Sequence, residues 1–61
     1  MKLVYTKLVY FDTLYNRNSE FRVTGQITFN ERNEAVFAAC GMKYAIPVNR
    51  IVSIETIEED F

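Results

Sequence analysis

Cys40 is the only thiol in this 61-residue chain, and histidine is absent. Those two facts limit the chemistry available. A nucleophilic cysteine needs a neighbouring base to generate its thiolate, and a zinc site draws mostly on cysteine and histidine. Cys40 stands in Ala38-Ala39-Cys40-Gly41, at the end of an apolar run, and is expected to pack in the core as a small hydrophobe. The adjacent acids Glu58 and Glu59 could do acid–base work only in a pocket that shifts their titration. No ligand-spaced loop with a turn glycine accompanies them for calcium, and no glycine-rich phosphate loop occurs. The expectation is a protein with no catalytic residue, no metal and no cofactor, that is, not an enzyme.

Two residue sets could bind rather than react. Tyr5, Tyr10, Tyr15 and Tyr44 could stack on bases while Lys7, Arg22, Arg32, Lys43 and Arg50 meet phosphates. Arg22 and Arg50 are the candidate contacts of that reading, a small β domain binding single-stranded nucleic acid. The charge is weak support for it. Seven basic residues face eight acidic ones, for a net charge of −1, far from a basic footprint. The distribution is uneven, however, with all the lysines and arginines before Glu55 and four acids in residues 55–61. Residues 1–57 are expected to form a single small domain and residues 58–61 an acidic tail.

The second set is apolar and aromatic. The tetrapeptide Lys-Leu-Val-Tyr occurs at residues 2–5 and again at 7–10. Its β-branched and aromatic content predicts a strand. A repeat of five is odd, so each copy presents its residues to the opposite face from the other. Three arrangements satisfy that pattern: a bulge near Thr6-Lys7, a bend between two sheets, or one face on the core and the other on a second subunit. If Leu3, Tyr5, Val9 and Phe11 face the core, then Val4, Leu8 and Tyr10 are the interface. On that assignment Tyr10→Asp would dissociate the protein into folded monomers.

Other segments must frame this strand. Phe21, Val23, Ile27 and Phe29 share one parity across Glu20–Asn30, the period of a half-buried strand, with Gly25 as the place for a bend. Asn30–Glu34 reads as a turn. Ala35–Cys40 is a short apolar strand, followed by a tight turn at Gly41-Met42. Lys43–Val48 alternates again, with Tyr44, Ile46 and Val48 inward, and Pro47 marks a strand end. Residues 49–60 admit two readings. Their β-branched density favours a strand, while Asn49 as N-cap with Ile51, Ile54 and Ile57 would suit a short helix.

Ile46-Pro47-Val48-Asn49-Arg50-Ile51-Val52 resembles the end of SH3-like small barrels, where a proline and an asparagine lie in a 3₁₀ turn before the last strand. Val9–Tyr15 is similar to the aromatic-acidic segment at the start of SH3 domains. The spacing of Gly25, the Asn30–Glu34 turn, Pro47 and Ile51 is equally similar to Sm-like barrels. There is no tryptophan, so the indole with which SH3 domains grip ligands is missing, and their acidic specificity loop is not recognisable. The resemblance implies an all-β, five-stranded antiparallel meander or partly open barrel. It carries no proline-peptide binding across.

Size sharpens the functional expectation. A chain this short buries only about 60% of its unfolded surface, and small domains commonly need a disulfide, a metal or a partner chain. One cysteine excludes an internal disulfide and fits a reducing, cytoplasmic setting. No run approaches the ~20 apolar residues of a membrane span. Met1–Tyr5 briefly imitates a signal peptide, but Lys7 and Asp12 break the run. The expected function is protein–protein interaction or assembly, as a homodimer or other homo-oligomer contacting through the N-terminal strand.

Overall fold

The computed structural model describes residues 1–61. Six strands follow one another: β1 (Lys2–Asp12), β2 (Arg17–Val23), β3 (Thr28–Phe29), β4 (Glu34–Ala39), β5 (Met42–Pro47) and β6 (Ile51–Asp60), with a single 3₁₀ turn at Val48–Arg50 before the last. They form two antiparallel sheets, sheet I in the order β2-β1-β6 and sheet II in the order β3-β4-β5. The all-β, antiparallel expectation is met. The sheets do not close into a barrel. The count is six because the segment expected as one bent strand divides at residues 24–27, its first half joining sheet I and its second sheet II. No helix is long and apolar enough to cross a membrane.

The turns follow from local chemistry. Between β4 and β5 the two linking residues, Cys40 and Gly41, have φ of 54° and 77°. A two-residue hairpin of this hand needs positive φ at both positions, which glycine adopts freely. The turn therefore falls one residue earlier than expected. Cys40, expected in the core, is exposed at its tip. Asn30 organises the β3–β4 connection: its side-chain oxygen accepts from the Arg32 and Glu34 amides at 3.0 and 3.1 Å. Asparagine bonding the backbone two residues on is the ordinary reason for its place in turns. Residues 51–60 are a strand, and the helical reading fails because β1 offers a complete pairing partner from Lys2 to Tyr10.

Opposed residues in an antiparallel ladder share a face. Leu8 lies between Phe21 and Ile54, and Thr6 between Val23 and Thr56, all toward sheet II. Ala35, Phe37 and Ala39 turn inward from β4, and with Leu8 and Val23 they form the buried cluster. Tyr10, Phe21, Tyr44 and Ile46 pack against it. The aromatic rings lock the sheets together. Phe21 lies 5.3 Å from Tyr10, 5.2 Å edge-on from Phe37 and 4.5 Å from Tyr44 between ring centroids, within the range at which such pairs are favourable. Val48, expected inward, is exposed in the 3₁₀ turn.

Two of the three expected interface residues are thereby corrected. Leu8 is fully buried in the cluster and Tyr10 is half-buried against it, so neither presents its side chain to a second chain on an outer face. The even-numbered face of β1 is the inner one, because that parity sets Leu8 opposite Phe21. Val4 remains exposed. The single irregularity of β1 pairing lies at Val9/Tyr10, where β6 carries the extra residue Val52. Thr6-Lys7 is regular.

Candidate interaction surface

Sheet I is longer than its cover. β2 stops opposite Thr6, while β1 and β6 continue together to the pair Lys2–Asp60. Residues 2–5 and 57–60 thus form a two-stranded ribbon projecting past the sandwich. Residues 58–60, expected as a tail, are its outgoing strand. A bare two-stranded ribbon is marginal in water. This one is tied at several points. The Tyr5 hydroxyl donates to Glu59 Oε1 at 3.1 Å, and the Arg22 guanidinium lies over the Tyr5 ring at 5.3 Å. Lys2 pairs with Glu58 at 3.2 Å, and the backbones of Met1 and Phe61 bond reciprocally.

Tyr5 points to the outer face yet is only 7% exposed. The Arg22 guanidinium lies over one face of the ring, a favourable place for a cation. Burial first, and then the hydrogen bond to Glu59, raise the Tyr5 hydroxyl above its usual pKa of 10.0.

Where the ribbon leaves the sandwich the inner face opens. A groove of about 360 Å³ lies there, lined by Thr6, Ile54 and Thr56 from sheet I and by Gln26, Ile27 and Phe29 from the crossing segment and β3. Ile54 and Phe29 are exposed, and Val4 continues the same face of β1 past Thr6. The free outer edge of β6 borders this surface, since no strand lies beyond β6 in sheet I. The molecule buries six residues and exposes twelve large hydrophobic ones. Two of those twelve, Ile54 and Phe29, lie together along this groove.

The expected nucleic-acid pair is not brought together. Arg22 faces outward from β2, opposite Lys7. Arg50 sits in the 3₁₀ turn, and its guanidinium donates to the Phe11 carbonyl from Nε at 3.2 Å and Nη2 at 3.1 Å. Lys7 and Phe11 are four residues apart on β1, roughly 13 Å at strand spacing. Tyr10 and Tyr44 are engaged in the aromatic core. Tyr15 is free at the β1–β2 tip, with Arg17 over its ring at 5.4 Å. No group of three or more His, Cys, Asp or Glu side chains converges on a metal-sized site.

Phe29, expected on the apolar face with Phe21 and Val23, is exposed because its strand is only two residues long, and neither Ile54 nor the free edge of β6 was expected as a contact. The open end follows from a mismatch of length that only the structure reveals: an eleven-residue β1 is not covered along its whole run by a seven-residue β2. No protein-family model, curated protein or solved structure matches the chain.

Proposed function

We propose that the protein is a non-enzymatic assembly module that associates with itself through the uncovered part of sheet I. The observation that carries this reading is the excess of exposed over buried large apolar side chains, gathered in part on one side of sheet I at Val4, Ile54 and the adjoining Phe29. The N-terminal strand takes part through Val4, not through the inward Leu8 and Tyr10. The connectivity is proposed to be SH3-like. The crossing of the chain from β2 in one sheet to β3 in the other and a 3₁₀ turn leading into the last strand support that arrangement. The nucleic-acid reading has less support, because Arg22 and Arg50 are engaged separately, over a tyrosine ring and on a backbone carbonyl.

Thermal unfolding at several protein concentrations tests the proposal. Association of the native state makes the midpoint rise with concentration, and Val4→Asp should remove that rise while leaving the far-UV spectrum of a β protein. A wild-type midpoint that stays constant over about a hundredfold dilution removes self-association as the function.

A further inference from the structure

The self-association proposed above leaves open which atoms meet. The geometry points to the outer edge of β6 pairing antiparallel with the same edge of a second copy, with Ile54 on the two-fold axis, so that two three-stranded sheets become one of six strands.

Three observations lead there. The first is the backbone. Met1 and Phe61 exchange both backbone hydrogen bonds. In an antiparallel ladder such pairs alternate with pairs that exchange none. Along the regular part of the β1–β6 ladder, Leu3 with Glu59, Tyr5 with Ile57 and Lys7 with Glu55 therefore bond each other. The intervening residues of β6, namely Ile54, Thr56 and Glu58, aim their backbone N–H and C=O groups away from β1. No strand receives them. At ten residues β6 is also the longest strand at the edge of either sheet, and a long open edge is a template for another strand.

The second observation is charge. Three of the four acids of β6, Glu58, Glu59 and Asp60, fall in its second half, Glu55 stands just before the midpoint, and Ile51–Ile54 carry none. Parallel pairing would set acid beside acid. Antiparallel self-pairing lays the acidic half of each copy along the acid-free start of the other, where Arg50 is the nearest charge. Two of the five guanidinium donors of Arg50 are engaged by Phe11, which leaves three for a carboxylate. The acids that would repel a random strand thus favour this one arrangement, and they disfavour a neutral or acidic peptide in the same place.

The third observation is register. Outward backbone groups must meet outward groups, which holds on the axis when Ile54 opposes itself; Thr56 then falls opposite the bulged Val52 and Glu58 opposite Arg50 of the 3₁₀ turn. Centring on Ile54 sets its exposed side chain against its own copy and Ser53 against Glu55. Centring on Glu55 is barred, since its backbone groups already bond Lys7 and like charges would oppose each other. Centring on Thr56 would set the exposed Ile54 against the charged Glu58 in place of a second isoleucine. Ile54 also lines the open groove, so the two apolar grooves would become continuous across the axis.

Cross-linking on the full chain tests this register. In a Cys40→Ser background, Ile54→Cys places two thiols on the axis, with Cα atoms about 5.5 Å apart in a hydrogen-bonded pair, within reach of a short bismaleimide. Leu14→Cys, at the exposed β1–β2 tip, is the control. A covalent dimer from the position-54 variant and none from the position-14 variant is expected. A native mass of two chains without cross-linking at 54, or equal cross-linking at both positions, overturns the edge pairing while leaving self-association intact. A monomeric mass overturns both. Should the position-54 variant fail to fold, amide exchange on the wild type decides. The Ile54, Thr56 and Glu58 amides should become protected as concentration rises, and unchanged exchange rejects the proposal. Protection that arises only on adding an oligolysine peptide assigns the edge to a basic peptide instead, and rejects it equally.

Discussion

The same four residues, Lys-Leu-Val-Tyr, meet two environments in one strand. In the second copy Leu8 is wholly buried between Phe21 and Ile54, and Tyr10 stacks on Phe21. In the first copy Leu3 and Val4 are exposed, and Tyr5 is covered on the outer face by an arginine and a glutamate. The offset of five turns the copies to opposite faces. The second layer then decides what each face means, because sheet II covers the inner side only from about Thr6 onward. Local sequence specified a strand in both places, and tertiary cover made one copy core and the other surface.

The largest expected effects break the covered copy. Leu8→Ala should cost about 2–5 kcal/mol by loss of burial and creation of a cavity, against under ~1 kcal/mol for Leu3→Ala at an exposed position. Equal losses in urea unfolding would mean that the two copies are equally buried. Tyr10→Asp sets a charge against the Phe21 ring and should unfold the chain. A folded variant would return Tyr10 to the surface.

Smaller effects sharpen the open copy. Tyr5→Phe removes the hydroxyl bonded to Glu59 and should lower stability only slightly. It should also change the pH dependence. A hydroxyl whose folded pKa lies above 10.0 holds its proton more tightly in the native state, so its contribution is intact below pH 10 and is lost as pH rises through the folded value. Wild-type stability should therefore fall faster than that of Tyr5→Phe above pH 10, and parallel curves would contradict the cover over Tyr5. Smallest is Lys2→Ala, which removes an ion pair between two exposed side chains. Such pairs contribute about 0–1 kcal/mol, so a larger loss would mean the ribbon depends on it.

Much of this architecture was legible. Alternation placed Phe21 and Val23 inward, the asparagines marked the β3–β4 turn, and β-branched density identified the last strand. What could not be read was pairing. The inner face of β1 depends on which residues oppose it, and with apolar residues at both parities nothing local chooses between Leu3-Tyr5 and Leu8-Tyr10. Cys40 illustrates a different failure. A one-residue displacement of the hairpin turn moved it from an expected core position to an exposed tip, since both central residues need positive φ. The uncovered end of sheet I arises from unequal strand lengths, and glutamates paired to β1 look the same in sequence as glutamates in a tail.

The central claim, that the uncovered end of sheet I is completed by a second chain, is tested most directly by molar mass in solution. Light scattering across a dilution series, at low and high salt, should give the mass of two chains at high concentration and a shift toward one on dilution, with the shift beginning earlier in high salt because acid and arginine attract across the contact. The mass of a single chain at every concentration and salt would contradict it.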